Sequence, residues 1–530
     1  MSEATVLVSD KLSQVGLDYL VQQDGITLRH TPGLKAEALL EAVQDVDALI
    51  IRSGTQVTAE VIAAAPRLKV IGRAGIGVDN VDVAAASRRG IVVMNTPTGN
   101  AVTTAEHALA LLFSLARFIP QATASTKAGR WEKSRFQGRE LTGKTLGIVG
   151  LGNIGRIVAA RAQGLKMRVI ASDPVLSADK ATRLGVELVS FDELLRRADC
   201  ITIHAPLNDH TRGLFDDDAF AQTKPGLLLV HAARGGIVDE AALARALDKG
   251  QLAGAALDVF VEEPVSADHP LLASDRIICT PHLGASTAEA QDRVAGEIAL
   301  QVCDFLQTGQ VQNAVNAPSV QGDAATALQP YLQLSERLGL LLAQLEALTV
   351  QELEVRCSGR PGELGVHHIA LATLSGFLAR HLNEAINPVR APYEAEARGL
   401  KVVEVRDDQS GGHADTVQVT LRGREGSHTA TGCLGPHGEA RLLTLEGLTL
   451  DAFLAGAILV IRNSDKPGVI GALGTELGQV QINVSRMQVG LNKETGEAIS
   501  LWNIDSAVPP TLLGRLRQLD NVHSVRCITL

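Results

Sequence analysis

Three polar residues stand at the ends of apolar runs: Arg234 in "LLLVHAARGG", Glu263 in "AALDVFVEEP" and His282 in "IICTPHLGAST". Each alone is an ordinary loop residue. Taken together they suit one reaction, the oxidation of a 2-hydroxy acid. That reaction needs a cation to hold the carboxylate and the carbonyl oxygen, a base for the hydroxyl proton, and a partner that orients the base. Arg234 offers a planar bidentate fork, His282 accepts the proton, and Glu263 orients the imidazole. The two glycines after Arg234, Gly235 and Gly236, are expected to keep side chains away from the reacting groups.

Such chemistry also needs a hydride acceptor. Between the strand-like "TLGIVG" and the helical "IGRIVAARAQ" sits Gly150-Leu151-Gly152-Asn153-Ile154-Gly155. A G-x-G-x-x-G alone is weak evidence, but a strand before it and a helix after it give the dinucleotide context. Gly150 permits the tight turn, Gly152 the approach of a pyrophosphate, and Gly155 the packing of the helix on the sheet, while the helix N-terminus offers N–H groups to phosphate. The next strand, "MRVIASD", ends at Asp173. Its carboxylate accepts hydrogen bonds from ribose hydroxyls and repels a 2′-phosphate, which favours NAD over NADP.

These residues need elements to carry them. From the N-terminus, "TVLVS", "ALIIRS", "LKVIGRAG" and "IVVMN" alternate with helical patterns, the rhythm of a parallel sheet. Residues 100–118 read as one long helix with Asn100 as its cap. A second alternating series runs from "KTLGIVGLG" to "RIICTPHLG", and "STAEAQDRVAGEIALQVCDFLQ" forms a further helix returning to the first sheet. The reading is α/β: a substrate-binding domain over 1–98, completed by 284–317, and an NAD-binding Rossmann domain over 99–283. An α+β domain over 318–452 follows, and 453–530 has the βαββαβ pattern of a ferredoxin-like module.

Composition agrees with this class. The chain has 530 residues, 45% hydrophobic but only 3% aromatic, so its cores are filled by Ala, Val, Leu and Ile, as in buried parallel sheets. A net charge of −10 without a Lys/Arg block gives no footprint for nucleic acid or an anionic membrane. No apolar run reaches the roughly 18 residues needed to span a bilayer, and "MSEATVLVSDKL" is a strand rather than a signal peptide. Cys200, Cys279, Cys303, Cys357, Cys433 and Cys527 are scattered, which predicts reduced thiols, a cytoplasmic protein and no metal.

The segments "GLGNIGRIVAARAQGLKMRVIASD", "HAARGGIVDEAALARAL", "AALDVFVEEP" and "PHLGAST" closely resemble the D-2-hydroxyacid dehydrogenases. Within that family, "ALIIRSGTQVT", "VIGRAGIGVDNVDV" and the C-terminal module resemble long-form members with an extra domain before the last one. The resemblance covers nearly the whole chain and is weakest over 318–452. It implies Arg234, Glu263 and His282 in the roles derived above. It implies NAD contacts at Asn153, Ile154, Asp173, Ala232, Ala233, Arg234, Asp258 and the turn His282, Leu283, Gly284 and Ala285, with Asp258 accepting from the nicotinamide amide. Arg52, Ser53, Gly54, Arg73 and Asn100 would bind the phosphate and carboxylate of the substrate, and Lys133 or Arg135 would reach a neighbouring subunit. At Ile76 and Ala205, where relatives carry Thr, only backbone is offered.

"RNSDKPGVIGALGTELGQVQINVSRMQ" resembles an ACT domain, with Asn463, Asp465 and Asn483 at the positions that hold an amino acid between two such modules. The activity implied is NAD-dependent oxidation of D-3-phosphoglycerate to 3-phosphohydroxypyruvate, the first step toward L-serine. L-serine is then the expected effector and a homotetramer the expected assembly. The alternatives are a dehydrogenase of another D-2-hydroxy acid, such as 2-hydroxyglutarate, and an NAD-sensing, corepressor-like binding protein.

Overall fold

Short runs of Val, Ile, Leu and Ala bounded by Gly, Asp and Asn build two parallel sheets, whose strands are buried on both faces and therefore carry little alternation. The computed structural model describes residues 3–318, 323–345, 349–382, 384–407 and 415–530. The first sheet has five parallel strands in the order Ile26–His30, Ala4–Val8, Ala48–Ile51, Val70–Arg73, Val92–Asn95. Ile26–His30 is an unexpected strand: it lies at the edge, is only partly buried, and carries too few apolar residues to stand out in the sequence.

The second sheet has seven strands, ordered Ile277–Cys279, Leu252–Leu257, Leu227–His231, Cys200–Ile203, Thr145–Val149, Arg168–Ser172, Glu187–Leu188. The strand order reverses between Thr145–Val149 and Cys200–Ile203, and ligands bind beyond the strand ends at such a switch point. The helix expected over 100–118 runs Ala101–Arg117 and stops at Phe118, which adopts a left-handed φ of 54°; a separate helix, Ile119–Lys127, follows. Asn100 occupies the N-cap position but its side chain makes no cap hydrogen bond, a departure from the expected cap.

The helix Ala288–Thr308 starts at Thr287, whose side chain accepts from the Ala290 N–H, and lays Val294, Ile298 and Val302 on Val6, Val8, Ile50 and Val70 of the first sheet. That return brings the turn containing His282 beside the first sheet.

Beyond residue 323 a mixed six-stranded sheet carries the helices Asp323–Leu345 and Arg360–Leu382. The last segment has the order strand, helix, strand, strand, helix, strand. Its antiparallel sheet is ordered Val484–Leu491, Glu497–Ile504, Ala457–Ser464, Val522–Thr529. Ile458, Val460, Ile499, Leu501 and Ile528 of this sheet share one core with Leu334 and Leu338 of the preceding helix. Among the described residues no single helix is long and apolar enough to cross a membrane.

Candidate active site

Arg234, Glu263 and His282 each lie just beyond the C-terminal end of a strand of the seven-stranded sheet: Leu227–His231, Leu252–Leu257 and Ile277–Cys279 respectively. His282 Nδ1 is 2.7 Å from Glu263 Oε2, and Glu263 Oε1 accepts the Phe260 N–H at 3.0 Å. Burial alone would raise the Glu263 carboxyl, but the bonds from His282 and the Phe260 N–H outweigh it and hold the group below its ordinary value. An ionised acceptor on Nδ1 leaves Nε2 as the lone-pair nitrogen, the tautomer a base requires.

His282 has φ 54°, the left-handed region, uncommon for a residue with a side chain. Its N–H donates to the Asp258 carbonyl at 3.0 Å, and the next two N–H groups, of Leu283 and Gly284, donate to the Asp258 carboxylate at 2.7 and 2.8 Å. The same carboxylate accepts from Thr280 Oγ1 at 2.6 Å and meets His107 Nε2 at 3.1 Å. Burial pushes Asp258 up, and these hydrogen bonds more than offset it. Asp258, expected as a nicotinamide contact, is 1% exposed and here holds the turn that presents His282.

Gly235 has a different reason from the one expected. A Cβ there would lie 1.9 Å from the Phe260 carbonyl oxygen, so the glycine lets the Arg234 turn pack against the backbone leading to Glu263. Gly236 takes φ +89°. In the dinucleotide loop, Gly150 has φ +88°, a Cβ on Gly155 would meet the Gly150 carbonyl oxygen at 2.2 Å, and a Cβ on Gly152 would meet nothing within 4 Å. Only Gly152 opens onto free space, at the N-terminus of the helix Asn153–Gly164, where a pyrophosphate would approach. Asp173 ties this loop to its strand, Oδ2 accepting the Leu151 N–H at 2.8 Å.

The residues converge on a cleft of about 1070 Å³ between the two parallel sheets. Arg52, Ser53, Arg73, Asn100, Asn153, Ile154, Ala232, Ala233, Arg234, Asp258, Glu263, His282, Gly284 and Ala285 line it, as do Ile76 and Ala205. Gly54, Gly150, Gly152, Gly155, Asp173 and Leu283 do not. Gly54 leaves room for Asp10, whose carboxylate accepts the Arg52 and Thr55 N–H groups. Lys133 and Arg135 stand away from the cleft on the turn Lys133–Phe136.

Asn463, Asp465 and Asn483 lie in the last module. Asn463 pairs with Ala498 at one end of its sheet, whereas Asn483 precedes Val484, which pairs with Ile504 at the other end, so one chain does not bring them together.

Three cations, Arg52, Arg73 and Arg234, and three carboxylates, Asp79, Asp258 and Glu263, line the cleft. Burial, and next the charge of Arg234, bring Arg73 down to about 10, still charged at neutral pH. Asn100 is 8% exposed and its Oδ1 has no partner, a buried acceptor beside the cations. Burial holds His204 at about 3 and His231 at about 4, so neither carries charge at neutral pH. Two contributors escaped the sequence reading: His107, whose partner Asp258 is far along the chain, and Asp79, 2.7 Å from Arg234 Nε. Among the described residues no group of three or more His, Cys, Asp or Glu is placed to hold a metal ion.

Residues 109–284 match the family model of the D-isomer specific 2-hydroxyacid dehydrogenase NAD binding domain, and residues 327–446 that of the D-3-phosphoglycerate dehydrogenase intervening domain. The chain is 40% identical over 529 residues to the D-3-phosphoglycerate dehydrogenase of Bacillus subtilis, covering 99% of each chain. It is 42% identical over 511 residues to that of Mycobacterium leprae, covering 96% of each. Among solved structures, the NAD-dependent formate dehydrogenase of Staphylococcus aureus in complex with NAD matches with a TM-score of 0.54 and 32% identity, over 60% of this chain and all of that one.

Proposed function

The chain belongs to the D-3-phosphoglycerate dehydrogenases, within the D-2-hydroxyacid dehydrogenase family, and we infer from its cleft how the reaction is divided among its residues. The enzyme oxidises D-3-phosphoglycerate to 3-phosphohydroxypyruvate with NAD, a step of L-serine biosynthesis. The observation that carries the assignment of roles is the His282–Glu263 pair at 2.7 Å on the same cleft wall as Arg234.

The residues present fit NAD: a glycine loop open only at Gly152, a helix N-terminus behind it, and Asp173 at the end of the next strand. Bound NAD supplies a hydride acceptor for C2 of the substrate. His282 Nε2 takes the hydroxyl proton, and Glu263 stabilises the resulting imidazolium through Nδ1–H. Arg234 holds the carboxylate and the C2 oxygen, while Arg52 and Arg73 receive the phosphate and the unpartnered Asn100 Oδ1 is an acceptor beside them. In the uncharged states near neutral pH, His204 and His231 do not compete as cations for the substrate.

Asp173 sets the choice of cofactor. Asp173→Ala removes a charge-assisted hydrogen bond to the ribose, worth about 1.5–3 kcal/mol, so kcat/KM for NAD should fall about 10- to 100-fold. NADP, freed from like-charge repulsion, should gain. The ratio of the two kcat/KM values checks this, and an unchanged ratio assigns the choice to another residue.

The last module is an ACT domain with the ferredoxin-like βαββαβ order, and L-serine is its ligand. Because Asn463 and Asp465 lie at the opposite end of the sheet from Asn483, the site is completed by a second copy. Antiparallel pairing of the edge strands Val484–Leu491 would bring Asp465 of one chain to the partner's Asn483. Met487 and Val489 of that edge are 40% and 43% exposed, and elsewhere on the chain Phe113, Ile119 and Trp131 are exposed apolar side chains, the last 80% exposed. A homotetramer follows if a second copy docks on each of two such sets of exposed side chains. Six unpaired cysteines suit the reducing cytoplasm.

Serine should inhibit cooperatively, with a coupling of about 1–3 kcal/mol. Asp465→Ala or Asn483→Ala should weaken inhibition with uninhibited turnover nearly unchanged. Titration of serine at saturating NAD and substrate tests this, and superimposable curves for wild type and both variants would move the site out of the last module.

A further inference from the structure

We propose that Asp79 is a positioning residue for Arg234, clamping its guanidinium from the opposite wall of the cleft. Asp79 lies in the loop after strand Val70–Arg73 of the five-stranded sheet, and Arg234 follows a strand of the seven-stranded sheet. Asp79 Oδ2 accepts from Arg234 Nε at 2.7 Å, and Arg234 Nη1 donates to the Ala233 carbonyl at 2.7 Å. Two holds on a planar group fix its plane.

The loop is shaped to receive it. A Cβ on Gly77 would lie 1.9 Å from Arg234 Nη2 and 2.7 Å from Asp79 Oδ2, so only a residue without one lets the guanidinium lie against this backbone. Among the described residues, this is the ion pair that joins residues 3–98 and 284–318 to residues 99–283.

Charge gives a reason for the clamp. Arg52, Arg73 and Arg234 all line the cleft, and unopposed they would repel one another and turn the most mobile guanidinium away. A carboxylate on Nε neutralises part of that repulsion from the side, leaving the remaining N–H groups of Nη1 and Nη2 for the substrate. Because its partners come from different sheets, the clamp forms only when the two walls of the cleft approach. The cation that receives the substrate is thus in its working orientation only in the closed cleft, which links closure to catalytic geometry.

The inference rests on the role assigned to Arg234, and a double-mutant cycle separates the two. Asp79→Ala, Asp79→Asn, Arg234→Lys and Asp79→Ala/Arg234→Lys are compared for kcat and KM with D-3-phosphoglycerate, and for NADH affinity by fluorescence. Asp79→Ala should lower kcat/KM about 10- to 100-fold, the scale of one lost charge-assisted hydrogen bond. Asn, which keeps an acceptor, should recover part of that loss. NADH affinity should stay within about twofold, since Asp79 is 60% exposed and outside the dinucleotide loop. In the Arg234→Lys background, Asp79→Ala should add little.

Fully additive losses would show that Asp79 acts independently of Arg234 and overturn the proposal. A lowered KM in Asp79→Ala would overturn it too, by making Asp79 a competitor of the substrate carboxylate, as would a loss of NADH affinity as large as the loss in kcat/KM. A harmless Arg234→Lys beside a damaging Asp79→Ala likewise overturns it. Failure of the Arg234 assignment itself would show as a harmless Arg234→Lys, whereas failure of the Asp79 clamp alone would leave Arg234→Lys damaging and the two losses additive.

Discussion

Replacing His282 with alanine is expected to lower kcat by about 10²- to 10⁴-fold, the usual worth of a positioned acid or base. NADH binding should be nearly intact. The imidazole is 46% exposed, so its removal leaves no large cavity, and the turn that carries it is held through main-chain N–H groups by Asp258. His204 and His231 do not replace it as the base, because burial holds both far below neutrality and makes them poor proton acceptors. Glu263→Gln should cost less than His282→Ala. It keeps an oxygen acceptor for the Nδ1–H but loses the charge that stabilises an imidazolium, so its main effect should be a shifted pH optimum. Steady-state kinetics across pH, with NADH affinity measured in parallel, checks both variants. A His282→Ala enzyme with near-normal turnover would remove His282 from the chemistry.

The parts of this site legible in the sequence are those fixed by local backbone. Gly150, Gly152 and Gly155 do three separate jobs within one turn, and the structure assigns each a distinct spatial reason. Arg234, Glu263 and His282 were legible because each follows an apolar strand, and parallel strands deliver their C-terminal ends to one edge. Asp79 and His107 were not. Their partners, Arg234 and Asp258, are far away in sequence and, for Asp79, on the other sheet; only the closure of the cleft makes them neighbours. Asn100 shows a related limit: a cap residue by type and position, it spends no side-chain hydrogen bond on the helix, and its oxygen is left without a partner at the cleft. The strand Ile26–His30 was missed because an edge strand needs only part of one face buried, so "ITLRH" carries a weak pattern. The continuity between the last module and the preceding helix was equally invisible, since the alternation of Ile458 and Val460 reports a buried face without saying what covers it.

The second large effect concerns the substrate itself. If Arg52 and Arg73 hold the phosphate, an otherwise identical acid without it, D-glycerate, forfeits charge-assisted hydrogen bonds from two guanidinium groups. At about 1.5–3 kcal/mol each, the loss is about 3–6 kcal/mol, or roughly 10²- to 10⁴-fold in kcat/KM. Their cationic neighbourhood makes the loss worse, because the phosphate also relieves repulsion among Arg52, Arg73 and Arg234. A dianionic acid of different shape, D-2-hydroxyglutarate, places a planar monoanionic carboxylate where a tetrahedral phosphate belongs and should fall between the two. The measurement that bears most directly on the account is therefore kcat/KM for NAD reduction with D-3-phosphoglycerate, D-glycerate and D-2-hydroxyglutarate, followed as NADH absorbance. The account predicts D-3-phosphoglycerate to be preferred over D-glycerate by at least about 10²-fold, whereas equal rates for the two, or a clear preference for D-2-hydroxyglutarate, would contradict it.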